Sequence, residues 1–173
     1  LPGGSNYAAR QAMLTAIGGK ANGMLWDQGE GDSSSLSYLA DLGTLYTDIL
    51  TRTGQASATL PMFIVQLGRN EGVSGNDVGW QRVRSAQTEF VLATDNVYIG
   101  SQKLDLPMPV GDGLHFTPEG YKSTALRLGD SVNFVILGTG NSGRGVIPTG
   151  ATVTGSTLTT DHLGNSNSAY NFD

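Results

Sequence analysis

The chain has no cysteine and only two histidines among its 173 residues. Without cysteine there is no disulfide framework and no thiolate nucleophile, while the compartment stays open. Charge is also sparse, at 14% of residues with a formal net charge of −5. A surface poor in lysine and arginine argues against nucleic acid as the main partner, because phosphate binding needs a basic face. No apolar run approaches the roughly 20 residues needed to cross a bilayer, so no membrane partner is expected. What remains is a chain 38% hydrophobic with 25 glycines. It is long enough for one globular, loop-rich domain with a real core. There is no initiator Met and no signal peptide, and the opening Leu1-Pro2-Gly3-Gly4 reads as the interior of a longer sequence. The expectation is a fragment or a processed product.

Helical and strand signals alternate. Ala9, Met13 and Ile17 lie at helical spacing from Asn6 to about Gly18, where Gly18-Gly19 ends the pattern. Asn22 to Gln28 holds Gly23-Met24-Leu25-Trp26, a short apolar run that reads as a buried strand. Ser35 is a suitable cap for a helix to about Thr53, with Leu39, Leu42, Tyr46, Ile49 and Leu50 as its inner stripe. Leu60 to Leu67 is a second buried strand. A polar loop from Gly68 to Asp77 precedes a helix carrying Trp80, Val83, Gln87 and Phe90 or Val91. Asn96 to Gly100 is a third strand. Thr117-Pro118-Glu119 then opens a helix whose predicted face is Tyr121, Ala125, Leu128 and Val132. This order implies an α/β fold, a parallel sheet flanked by helices in three layers, with ligands beyond the carboxyl ends of the strands. Residues 1–137 form that domain. From 138 to 173 the texture turns rich in Gly, Ser, Thr and Asn, and is read as a β-rich or irregular appendage or the start of a second module.

The strand-end loops carry the candidate chemistry. In Asp112-Gly113-Leu114-His115 an acid stands three residues before a histidine on a Gly-rich loop that enters a helix. The carboxylate can hold one ring nitrogen and leave the other to move a proton. Asp105 is a rival acid upstream. After the first strand, Gln28 in Trp26-Asp27-Gln28-Gly29-Glu30-Gly31-Asp32 offers an amide donor for a developing oxyanion, and Gly29 would permit close approach of substrate. Glu30 with Asp32 or Asp112 suggests a two-carboxylate glycosidase as an alternative; otherwise these acids serve as caps or as partners for Arg82 and Arg84. His162 is read as a surface residue of the tail. No metal site and no cofactor is expected. Gly138-Thr139-Gly140-Asn141-Ser142-Gly143 lacks the following helix that a phosphate loop needs.

Four blocks in order give the chain a resemblance to a known family. Trp26-Asp27-Gln28-Gly29-Glu30, the strand Leu60–Leu67, Arg84-Ser85-Ala86-Gln87, and Asp112-Gly113-Leu114-His115 together resemble the SGNH (GDSL-type) hydrolases. The closest likeness is to their carbohydrate O-acetylesterase branch, which includes sialate O-acetylesterases and acetylxylan esterases. The likeness covers roughly residues 7 to 132. It implies a flavodoxin-like three-layer fold and Ser-His-Asp acyl transfer on an acetylated glycan. In that scheme His115 is the base, Asp112 its orienting acid, and Gln28 an oxyanion donor, with Trp26, Gly29 and Glu30 supporting the loop.

One block departs from the pattern. The family's nucleophilic serine follows a first strand, and here only Gly4-Ser5-Asn6 imitates that block. No strand precedes Ser5, and about twenty residues separate it from Gln28, too few for the intervening elements. Ser5 is therefore a poor match for the nucleophile. The serine is expected on a segment or companion chain outside this one. The resulting expectation is part of a carbohydrate O-acetylesterase, open to assembly as a homo-oligomer, in an extracellular or virion-associated setting such as a phage tail spike or secreted polysaccharide esterase. A non-catalytic carbohydrate-binding module that kept the fold is the alternative.

Overall fold

The computed structural model describes residues 7–70 and 77–139, together with the backbone of 147–154, 157–163 and 168–171. Ser5 lies outside the described residues. The order is α1 (Tyr7–Ala16), β1 (Met24–Trp26), α2 (Tyr38–Thr53), β2 (Met62–Gln66), α3 (Asp77–Ala93), β3 (Val97–Gln102) and α4 (Pro118–Val132). A single π-helical stretch, Asn133–Leu137, extends α4 and stops at Gly138, whose φ of 65° ends the helix. Strands β4 (Ile147–Thr154), β5 (Thr157–Leu163) and β6 (Ser168–Asn171) follow and pair antiparallel, with His162 of β5 opposite Pro148. Among the described residues no helix is long and apolar enough to cross a membrane.

Strands β1, β2 and β3 form a parallel sheet in that order, with β2 central. The register pairs Met24 with Met62 and Val97, and Trp26 with Ile64 and Ile99. These residues face α2 and α3. Because both crossovers run in the same direction, right-handed connections place both helices on one face. The core there gathers Leu42, Leu45, Tyr46 and Ile49 of α2, Trp80, Val83 and Phe90 of α3, and Met62, Ile64, Val97 and Ile99 of the sheet. Tyr46 meets the Phe90 ring edge-on at 6.1 Å, and its hydroxyl donates to the Leu60 carbonyl at 2.8 Å. The alternate residues Phe63 and Tyr98 stack at 5.7 Å on the opposite face, under α4.

Two helical faces differ from the periodic reading. Helix α4 buries Gly120, Thr124 and Ser131, whereas Tyr121 and Ala125 are exposed and Leu128 and Val132 half-buried. Its contact with the sheet is made by small residues because the backbones approach closely. Ser131 Oγ donates to the Gly100 carbonyl at 2.7 Å, and a Cβ on Gly100 would lie 2.7 Å from Leu128 Cδ1 and 3.0 Å from Phe63 Cβ. The apolar residues at helical spacing in α1 and the turn after it face outward: Met13 is 61% exposed and Ile17 52%. The helix is held instead by Tyr7, whose ring lies 4.7 Å under the Arg52 guanidinium of α2. Helix α2 begins at Tyr38 after Ser37, not after Ser35, and Ser35 Oγ accepts from the Ser37 N–H.

Gly100→Ala should destabilise the domain by about 1–3 kcal/mol, because the added methyl overpacks the seam between β3 and α4. Urea unfolding measures this, and an unchanged midpoint would contradict the close approach.

Candidate active site

Each parallel strand delivers its following loop to the same edge of the sheet, and the candidate residues lie on those loops. Thr117 Oγ1 accepts the Gly120 N–H and Pro118 starts the helix, so α4 begins immediately after His115. This anchors the acid–histidine loop at its C-terminal end. At the other end Asp112 organises the loop through its own carboxylate. Asp112 Oδ1 accepts the N–H groups of Leu114 at 3.0 Å and His115 at 2.8 Å. Both carboxylate oxygens also reach His115 Nδ1, at 3.0 and 3.1 Å. Those backbone N–H groups first, and the imidazole after them, hold the Asp112 carboxyl below the usual range for aspartate. With Nδ1 committed to Asp112, Nε2 is the nitrogen left for proton transfer. The His115 side chain is 72% exposed.

Asp105 is engaged elsewhere. It forms a two-pronged pair with Arg127 at 2.7 and 2.6 Å, and that bond lowers its pKa.

The loop after β1 is fastened from beneath. Gln87 is fully buried. Its Nε2 donates to the Gln28 carbonyl at 3.1 Å and to Tyr38 Oη at 3.3 Å, and its Oε1 accepts the Leu67 N–H at 3.0 Å. Tyr38 Oη in turn donates to the Gln28 carbonyl at 2.9 Å and accepts from Trp26 Nε1 at 3.3 Å. Burial pushes the Tyr38 phenol up, so it remains a donor at neutral pH. Trp26 therefore supports the loop through Tyr38. Gly29 serves packing more than substrate approach: it is buried with φ 145°, and a Cβ there would fall 2.7 Å from Val83 Cγ1. The Gln28 side-chain amide donates to the Asp32 carboxylate. An amide nitrogen carries two hydrogens, so this bond orients the group and leaves a second donor.

Of the arginines expected to partner these acids, Arg84 is engaged elsewhere. Arg84 donates to the Gly68 carbonyl at 2.5 Å and pairs with Asp77 at 3.3 Å. Glu30 instead meets Lys103, a buried lysine just beyond β3 that sequence reasoning passed over. Lys103 Nζ lies 2.5 Å from Asp27 Oδ1 and 3.3 Å from Glu30 Oε1. Nothing in its sequence neighbourhood marks it, because its partners lie 76 and 73 residues away.

A cleft of about 470 Å³ joins these parts. His115, Glu30 and Lys103 share its wall, together with Ser33 and Asn70. Trp80, Phe116 and Tyr121 add aromatic surface, with the Phe116 and Tyr121 rings edge to face at 5.9 Å. Of the Trp26–Glu30 segment, Glu30 reaches this wall. Among the described residues no three His, Cys, Asp or Glu side chains are grouped to hold a metal ion.

The parallel sheet flanked by helices in three layers matches an SGNH-like fold, and the Asp112–His115 pair stands at its carboxyl edge. The chain belongs to the carbohydrate esterase family described as sialic acid-specific acetylesterase, whose model matches residues 3–133. It is similar in structure to XAC1771, a carbohydrate acetylesterase from Xanthomonas citri, with a TM-score of 0.57 and 18% identity. That match covers 83% of this chain and 32% of the other, so the chain spans about a third of that protein's length. No curated protein matches the chain.

Two measurements check this geometry. Gln87→Leu should cost about 2–3 kcal/mol in urea unfolding, since it strands the buried Leu67 N–H; a neutral result would remove the strap. The Asp112 carboxyl, followed by NMR, should titrate below an unstructured aspartate. Because its folded pKa is depressed, its hold on the loop is present above the ordinary carboxylate range and is lost as pH falls through the folded value. Titration at the ordinary value would show that the loop bonds do not persist in solution.

Proposed function

We propose that this chain supplies the base half of a carbohydrate O-acetylesterase site, which removes acetyl esters from a glycan by Ser-His-Asp acyl transfer. The carrying observation is His115 Nδ1 bound to Asp112 at the lip of a cleft at the carboxyl edge of the sheet. In this mechanism His115 Nε2 takes the proton of a serine hydroxyl as its oxygen attacks the acetyl carbonyl. Asp112 holds the imidazole and stabilises the cation that forms. The imidazolium then returns the proton to the departing sugar oxygen, and water repeats the sequence to release acetate. Gln28 serves as an oxyanion donor, oriented by Asp32. The aromatic surface at Trp80, Phe116 and Tyr121 suits the apolar face of a sugar ring. Glu30 is paired with Lys103 and Asp32 with the Gln28 amide, which disfavours their use as a glycosidase pair.

The serine belongs, in this reading, to a segment or companion chain outside residues 1–173. Two features support that. Among the described residues strand β1 has one neighbour in the sheet, and Leu25 on its α4-side face is 59% exposed. Parallel strands are ordinarily covered on both faces. A further strand added parallel to β1 would deliver its own carboxyl-end loop beside Trp26–Glu30, next to the cleft. The setting proposed is extracellular, in a secreted polysaccharide esterase or a phage tail spike, and the antiparallel pairing of the Gly/Ser/Thr/Asn-rich tail is in keeping with a multi-module protein.

The test is acetate release from p-nitrophenyl acetate and from an acetylated xylan by the complete esterase. His115→Ala should lower kcat by about 10³-fold or more while glycan binding persists. Activity that survives the substitution would overturn the site. Glycan binding without hydrolysis in the unaltered protein would identify a carbohydrate-binding module instead.

A further inference from the structure

Lys103 is a cation with 5% of its side chain exposed, placed where all three strand ends meet. Its backbone N–H donates to Gln66 at the end of β2. Its stem passes over Gly68, where a Cβ would lie 3.2 Å from Lys103 Cβ and 3.2 Å from its carbonyl oxygen. The same Cβ would fall 2.5 Å from Phe116 Cζ, so the glycine makes room chiefly for the Phe116 ring, with Lys103 packed beside it. The ammonium then reaches the loop after β1 and holds Asp27 and Glu30, which flank Gln28 and Gly29.

That loop needs an external tie. Strand β1 is three residues long and, among the described residues, paired on one side. Asp27, Glu30 and Asp32 put three carboxylates within six residues, and at close range they repel one another. Gln28 occupies Asp32, which leaves Asp27 and Glu30 to a counter-ion. Burying a lysine is costly unless it is paired, so its retention here reflects the pairing it makes.

We infer that Lys103 is a positioning residue for the esterase reaction, clamping Asp27 and Glu30 so that the Gln28 loop stands at a fixed distance from His115 across the cleft. The inference rests on the esterase reading above. Lys103 acts through the loop: its charge is taken up by two carboxylates, and Glu30, not the ammonium, carries the more exposed charge on the cleft wall. Oxyanion stabilisation depends on donors held within tenths of an ångström, so a slackened loop costs turnover more than substrate binding.

The experiment uses the complete esterase, with a fluorophosphonate label counting competent serine sites. Lys103→Met should lower kcat per labelled site at least tenfold with KM changed less than threefold, and Lys103→Arg should recover most of that loss. A purely structural lysine would reduce the number of labelled sites and leave kcat per site intact, which would overturn the inference. A rise in KM alone would overturn it too. Should Lys103→Met fail to fold, Asp27→Asn tests the same clamp from outside the cleft: kcat per site should fall threefold or more, and an unchanged value would count against the inference. His115→Ala is measured in parallel. Loss of activity there with full activity in the Lys103 and Asp27 variants sinks the clamp alone, whereas activity retained in His115→Ala sinks the esterase site itself.

Discussion

A buried side-chain amide holds the working end of this domain together. Gln87 has no access to water, so each of its polar atoms must be matched within the protein. It meets that demand by joining elements far apart in sequence: the Gln28 carbonyl after β1, the Tyr38 hydroxyl at the head of α2, and the Leu67 N–H after β2. Leaving any of these groups unpaired costs about 1–3 kcal/mol, a substantial part of a domain's net stability. The loop after β1 is therefore set by the same bonds that dock α3 onto the sheet. Trp26, Gly29 and Tyr38 are subordinate to that arrangement.

The parallel sheet converts this local fastening into a site. All three strands point the same way, so their loops converge on one edge. The acid–histidine loop is built on a different principle from the loop after β1. It is short-range, with Asp112 accepting two N–H groups and the imidazole within three residues, and α4 starting directly behind it. One side of the cleft is thus self-organised, while the other is held by distant partners: Gln87 beneath it and Lys103 across it. Glycines make the close approaches possible. Gly68 leaves room for the Phe116 ring beside Lys103, and Gly100 admits α4.

Much of the fold was legible in sequence because burial leaves a periodic trace. Trp80, Val83, Gln87 and Phe90 repeat at helical spacing and all are buried in α3. The apolar run around Met62–Gln66 became the fully buried central strand. Periodicity misled where contact is made by something other than large apolar side chains. Helix α4 docks through Gly120, Thr124 and Ser131, which a hydrophobic stripe does not register. In α1 and the turn after it the stripe of Met13 and Ile17 faces outward, because the helix is fixed by Tyr7 against Arg52. Arg84, expected to serve the loop acids, is taken by Asp77 and the Gly68 carbonyl, since α3 carries it to the end of β2.

Sequence alone determined the local chemistry: the alternation of helix and strand, the Asp112–His115 unit, and the motif order that marks an SGNH-type esterase. Each of these is encoded within a few residues, by periodicity, by capping, or by a carboxylate within reach of its own loop. Only the tertiary structure decided which acid meets which cation, that Gln87 is a strap more than one more core position, and that Lys103 meets Glu30 on the cleft wall from 73 residues away. The physical reason is range. A buried polar group must be satisfied wherever the chain brings a partner, and that place is set by the register of the parallel strands and the packing of α3 and α4, which no short stretch of sequence contains.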